Sequence, residues 1–327
     1  MNNVNNRLVK LIKTNTNNYT SVIIGCKSSN SSCKYCEYNI ITIGTNRQSK
    51  IIIDDKIGFI NIDYISYKEL INSNKNYSYK FLNCKVIEDD ILGISKYIID
   101  LQKNKNKIIK NHIHSTLINL TSEIQKSSKA INKSLFLDAD YWIMSASYKL
   151  INLIILLNGK VVYPSHLLEQ LKNSQINYNI DNCYSLLNLE MSTKSATKRR
   201  LEVINKLYLS FSDLLKIDSE HLNLQMELLE KKIEYLTNNQ MIANAYCLIG
   251  NEINILVNKI YKNYCLFNNI SPHDYKILSE IIDINGKNRV SKSIMNMMPL
   301  TNNESTISTK LIMLKKLTNT IRNHVKY

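Results

Sequence analysis

Residues 19–44 read YTSVIIGCKSSNSSCKYCEYNIITIG, and the parsing of this run decides the fold. The β-branched block Val22-Ile23-Ile24 suits a buried strand, and EYNIITIG (37–44) suits a second. Between them stand a lone glycine, a serine-rich loop and three of the chain's seven cysteines. Two chemistries compete for this connection. Cys33 and Cys36 have the separation that lets two thiolates share a tetrahedral ion, but a structural zinc site takes four ligands. No second pair follows at a usual spacing, so Cys26 and Cys84 would have to be delivered by the fold. The competing reading makes Gly25 a turn where the missing side chain lets a phosphate approach the backbone amides. We take the second reading, with the cysteines packing or lining the loop.

Outward from this run, the pattern is that of a small α+β domain. Upstream, Val4, Leu8, Leu11 and Ile12 lie at helical spacing. Downstream, SKIIIDD (49–55) and GFINIDYI (58–65) read as strands joined by a tight DDKIG hairpin turn in which Asp54 and Asp55 sit. A short helix, YKELINS (67–73), leads to a fifth strand around FLNCKVIED (81–89). From Ile91 onward long helices take over. Asp138 to Leu157 places Trp142, Ala146, Leu150, Leu153 and Leu157 on one stripe, and Asn158-Gly159 supplies a stop. Another helix starts at Tyr163-Pro164-Ser165, and more are expected near Ser192, Ser219, Asn239, Pro272 and Thr306, with 284–306 largely irregular. The fold class is therefore α+β: a small mixed sheet with flanking helices over 1–92, a helical bundle over 93–215 and a C-terminal helical region over 216–327.

Alternation along strands then selects the candidate site. Glu37 and Asn39 stand two apart on one strand, so both project to the side of the glycine turn, and Asp63 offers a second carboxylate from another strand. Such a set can surround a phosphate-bound Mg²⁺ ion, with the stretch Gly25, Cys26, Lys27, Ser28 and Ser29 holding the phosphates.

These residues resemble the DNA polymerase β-type nucleotidyltransferases, in particular the small kanamycin nucleotidyltransferase-like and minimal members. Their motif is a hydrophobe, Gly, then Gly or Ser, a gap, and carboxylate-hydrophobe-carboxylate-hydrophobe, with a third acid on a later strand. Ile24-Gly25-Cys26 matches the start, ten residues intervene, Glu37-Tyr38-Asn39-Ile40 matches the acidic strand, and Asp63 is the candidate third acid. The segment KVIEDD (85–90) resembles the strand that closes such domains, and the helical remainder is similar to the HEPN-type partners of this class. The resemblance implies binding of a nucleoside triphosphate with Mg²⁺ and transfer of a nucleotidyl group to a hydroxyl acceptor, with Glu37, Asn39 and Asp63 as metal ligands. Two departures weigh against turnover. The usual Ser is Cys26, and the second acid is Asn39, whose amide oxygen can coordinate but brings no charge to a pair of ions ~3.5–4 Å apart. The alternative is a catalytically degenerate module for nucleotide sensing or protein interaction.

Composition limits the remaining classes. The net charge of +15 favours polyanionic partners, nucleic acid among them, but it is spread along the chain and selects none. Leu150–Leu157 is the longest greasy run, far short of the ~20 residues that span a bilayer, and MNNVNNRLVKLIK lacks a signal-peptide core. With an odd number of scattered cysteines, this leads us to expect a cytoplasmic protein with reduced thiols, with no membrane partner and with self-association left open. HEPN ribonucleases place an Arg four to six residues before a His, a spacing that no histidine here shows; Arg322 and His324 are too close. His112 and His114 point to different faces of a helix and make a poor metal pair, and His166 with Gln170 reads as capping or packing.

Overall fold

The computed structural model describes residues 6–17, 19–29, 32–45, 47–72, 78–88, 93–174, 180–215, 218–270, 275–279 and 300–325. The expectations for Val4, Ser73, Asp89, Ile91, Pro272 and 284–299 lie outside them. The chain divides into two compact units, one of Met1–His112 with Asn223–Lys232, the other of Ile113–Leu222 with Ile233–Tyr327.

The first unit is built on a five-stranded mixed sheet. Its strands are β1 (Ser21–Ile24), β2 (Tyr38–Ile43), β3 (Lys50–Asp54), β4 (Gly58–Ile65) and β5 (Lys85–Glu88), in the order β3-β4-β2-β1-β5. Only β2 and β4 run parallel; the other neighbours are antiparallel. Strand alternation feeds two apolar layers. Ile23, Ile40, Ile60 and Ile62 meet Leu8 and Ile12 of helix α1 (Asn6–Thr16) on one face. On the other, Val22, Ile24, Ile41, Ile43 and Ile65 meet Leu70 of α2 (Tyr67–Asn72), Phe81, and Ile94 and Ile98 of α3 (Ile94–Lys103). Burial on both faces explains why these strands read as near-continuous β-branched runs.

The hairpin between β3 and β4 turns as expected on Asp54. Its Oδ1 accepts the amides of Lys56 (3.0 Å) and Ile57 (3.1 Å), and its Oδ2 accepts from Arg7 of α1 at 2.7 Å. The fifth strand is shorter than expected. Phe81–Asn83 form a 3₁₀ turn that buries the consecutive Phe81 and Leu82, and the strand begins only at Lys85.

In the second unit the helices are α4 (Lys105–Asn132, entering it at residue 113), α5 (Phe136–Leu157), α6 (Leu167–Lys172), α7 (Ile180–Leu186), α8 (Lys194–Ser210), α9 (Ser212–Leu215), α10 (Ser219–Asn238, outside the segment counted with the first unit), α11 (Ile242–Phe267) and α12 (Glu304–Val325). Helix α5 is buried nearly all round, wider than the single stripe expected, as befits a central helix packed by α12, α6 and α7. Its two buried acids are satisfied. Asp138 accepts the amides of Ile277 (2.6 Å) and Leu278 (2.8 Å), and Asp140 accepts the Thr301 amide at 2.9 Å and pairs with Lys310 at 3.2 Å. Gln170 is structural, its amide bridging Val161 O and Tyr163 N, and His166 is buried with Nδ1 2.8 Å from Glu169 Oε2. No helix among the described residues is long and apolar enough to cross a membrane.

Candidate functional site

The site lies where β1 ends and β2 begins. Gly25 has φ +79° and ψ −159°, a conformation that side-chain-bearing residues rarely adopt, and it reverses the chain into a 3₁₀ turn over Cys26–Ser28. The antiparallel register sets Ile24 opposite Asn39, so the glycine bend and the start of β2 come together. A Cβ on Gly25 would sit 3.6 Å from Asn39 Nδ2, an ordinary contact, so backbone conformation and not crowding calls for glycine here.

The loop's side chains are turned to the loop itself. The Ser28 hydroxyl faces the carbonyls of Gly25 and Asn83, Ser29 Oγ donates to Cys26 O at 2.9 Å, and the amides of Ser28 and Ser29 close turns onto Gly25 O and Cys26 O. Lys27 donates to Cys33 O at 3.1 Å and lies over the Tyr38 ring. Hydroxyls and an ammonium that suit phosphate contact by type are thus used to fix the bend.

Around Glu37 the strands deliver a row of amides. Asn39 Nδ2 donates to Glu37 Oε1 at 3.3 Å, and Asn61 Nδ2, from β4, donates to Asn39 Oδ1 at 3.3 Å. Parallel pairing aligns Asn39 with Asn61 and Ile41 with Asp63. Asp63 therefore shares the face of Glu37 and Asn39 but stands one pleat repeat farther along, beside the apolar Ile41. The position next to Asn39 belongs to Asn61.

Glu37 has a partner that sequence reading missed. Lys232, on α10 within the segment counted with the first unit, places Nζ 2.7 Å from Glu37 Oε2, and the two side chains are only 8% and 15% exposed. The preceding Lys231 lies over the Phe59 ring at 5.0 Å, a second contact holding this segment to the sheet. Burial alone would raise the Glu37 pKa, but the charge of Lys232 and its hydrogen bond, helped by Asn39, outweigh it, and the carboxyl titrates below its usual range. Glu37 is an ionised, internally neutralised acid.

Does this set fit the Mg²⁺ centre that the sequence suggests? Two-ion phosphoryl chemistry needs several carboxylates whose summed negative charge holds both cations. Here one carboxylate carries an ammonium at 2.7 Å, and the two groups beside it are neutral amides. The residues present do not fit a two-ion centre.

No family model and no curated protein matches the chain. Among solved structures, it is similar to a nucleotidyltransferase-like protein from Exiguobacterium sibiricum 255-15, at 14% identity and a TM-score of 0.31, over 74% of this chain and 77% of that one.

Proposed function

We propose that the α+β unit is a nucleotidyltransferase-like module that works by binding and not by nucleotidyl transfer. The observation that carries this reading is the Lys232–Glu37 ion pair flanked by Asn39 and Asn61: a fixed ammonium stands where the motif would otherwise gather cations. A nucleoside triphosphate remains the ligand class that the glycine bend and the +15 charge support. The helical unit, likened to HEPN domains by its expected architecture alone and without the Arg–His spacing, serves assembly in this reading.

Calorimetric titration of the purified chain with nucleoside triphosphates tests the proposal. Affinity is expected to stay within about threefold when Mg²⁺ is exchanged for a chelator, and no pyrophosphate is expected to appear, since Glu37 is paired with Lys232 and flanked by amides. Mg²⁺-dependent binding with pyrophosphate release would overturn it in favour of an active transferase using Glu37 and Asp63. Absence of nucleotide binding in either condition would leave a protein-interaction module.

A variant tests the donor argument directly. Asn39→Asp combined with Asn61→Asp adds two negative charges beside Glu37 and is expected to tighten Mg²⁺ binding by about tenfold or more, because charge count sets affinity for a hard cation. An unchanged Mg²⁺ affinity in the double variant would show that these positions do not face one cation.

A further inference from the structure

The connection between β1 and β2 also brings together two sulfur atoms that the reading above leaves unused. Cys26 opens the 3₁₀ turn after Gly25, and Cys36 closes a second turn, its N–H donating to Cys33 O at 3.1 Å. Their sulfurs lie within 4.8 Å of each other, and both residues belong to the sheet unit. Both are buried free cysteines, Cys26 at 6% and Cys36 at 5% exposure. Within the pair, Cys36 Sγ is the acceptor: the Cys33 N–H is directed at it from 3.3 Å, and the Cys26 thiol is hydrogen-bonded to it. Two donors on one sulfur favour its thiolate, the form that attacks an oxidant. Cys26 is the reverse case. Its hydrogen bond to Cys36 and then burial hold it protonated, while the charge of Lys232 pulls the other way. A sulfur placed to react first thus sits beside one that still carries its proton.

We propose that Cys26 and Cys36 form an oxidative modification site, closing a reversible disulfide when hydrogen peroxide reaches the β1–β2 connection. In the first step the Cys36 sulfur attacks one peroxide oxygen as the O–O bond breaks; the sulfur becomes a sulfenic acid, and the other oxygen leaves as water with the Cys36 proton. In the second the Cys26 sulfur attacks the Cys36 sulfur, the S–O bond breaks, and the hydroxyl leaves as a second water with the Cys26 proton. Two protons and two electrons have then passed from the thiols to the peroxide, and one S–S bond has formed. A disulfide holds its sulfurs about 2.05 Å apart, so the pair must close from its present separation, a movement of the order that rotation about the two Cα–Cβ bonds supplies. Burial of both sulfurs selects an oxidant as small as hydrogen peroxide. The bond would tie the residue after Gly25 to the residue before Glu37 and so fix the glycine bend against the start of β2, whether or not the sheet binds nucleotide.

The test uses the full-length reduced chain treated with hydrogen peroxide. Alkylation under denaturing conditions is expected to find two of the seven thiols gone and the mass lower by two hydrogens, and peptide mapping is expected to join Cys26 to Cys36. Dithiothreitol should restore both thiols. Closing this short loop takes freedom from the unfolded chain, so the urea midpoint of the sheet unit, followed by proteolysis, is expected to rise by about 1 M on oxidation. Cys26→Ala should stop at the first step, leaving a Cys36 sulfenic acid that dimedone captures. Cys33→Ser, at a half-buried position, is the control and should form the disulfide as the native chain does. Native thiols that all survive peroxide, a cross-link of Cys33 to Cys36 in place of the proposed one, or a midpoint that oxidation leaves unchanged would overturn the proposal.

Discussion

Replacing Lys232 with methionine is expected to destabilise the sheet unit by about 3–5 kcal/mol at neutral pH, the usual cost of leaving one member of a buried ion pair without its partner. Glu37 would remain among Asn39, the Cys26–Cys36 contact and the base of β2 with no countercharge. The double variant Glu37→Gln, Lys232→Met removes both charges and is expected to recover most of the loss, since a buried pair and a matched uncharged pair differ little in net stability. The sign of the pH dependence separates this account from simple loss of packing. In the native chain the Glu37 pKa is lowered, so the stability it contributes is present above the unfolded value of about 4.3 and is lost as pH falls through the folded value. In Lys232→Met, burial is opposed only by the hydrogen bonds of Asn39 and the backbone and is expected to raise the pKa, so stability is lost as pH rises. The gap between the two proteins should therefore be wide at pH 7 and narrow near pH 4. The single tryptophan, Trp142, lies in the helical unit, so sheet unfolding is better read from the labelling rate of Cys26 and Cys36 in urea. An equal gap at both pH values would refute the electrostatic account.

The second large effect is expected in the helical unit at Gly250 of α11. A Cβ there would lie 2.2 Å from Tyr148 Oη and 2.5 Å from Arg200 Nη1. Neither neighbour can retreat cheaply. Tyr148 is fully buried and donates to Cys247 O at 3.1 Å, while buried Arg200 donates to Tyr246 O at 2.8 Å and stacks on the Tyr246 ring at 3.4 Å. Gly250→Ala gains about 1 kcal/mol of helix propensity but forces apart a charged hydrogen bond and a buried hydroxyl, so the sign is set by the clash. A net loss of about 3 kcal/mol or more is expected in urea melts followed by Trp142, whose indole N–H donates to Tyr275 O in the same unit. Adding Tyr148→Phe removes the atom at 2.2 Å and should restore part of the stability. A Gly250→Ala chain as stable as the native one would mean that α8 and α11 lie farther apart than described.

How much of this was legible in the residues depends on range. The β-branched blocks, the DDKIG hairpin and the helical spacing of Leu8 and Ile12 are local signals, and each appears in the fold. The glycine bend and the shared face of Glu37 and Asn39 follow from a period of two and were likewise readable. Which β4 residue meets Asn39 was not. Asn61 and Asp63 share a face, and sliding a parallel strand by two residues keeps that face inward, so alternation cannot choose between them. Lys232 was further beyond reach, because nothing local to the sequence EKKIEY ties it to an acid 195 positions earlier. The loop serines show a different limit: their type suits phosphate, while their hydroxyls are spent on neighbouring carbonyls.

The late position of Lys232 bears on how the protein is made. Every strand of the sheet has left the ribosome once residue 88 emerges, yet the ammonium that neutralises Glu37 follows only after a long helical stretch. At ordinary translation speeds of ~5–20 residues per second that interval is on the order of ten seconds. Throughout it the nascent sheet must keep Glu37 either hydrated or protonated, so its final closure comes late even though its strands are N-terminal. A chain released before residue 232 would never reach it.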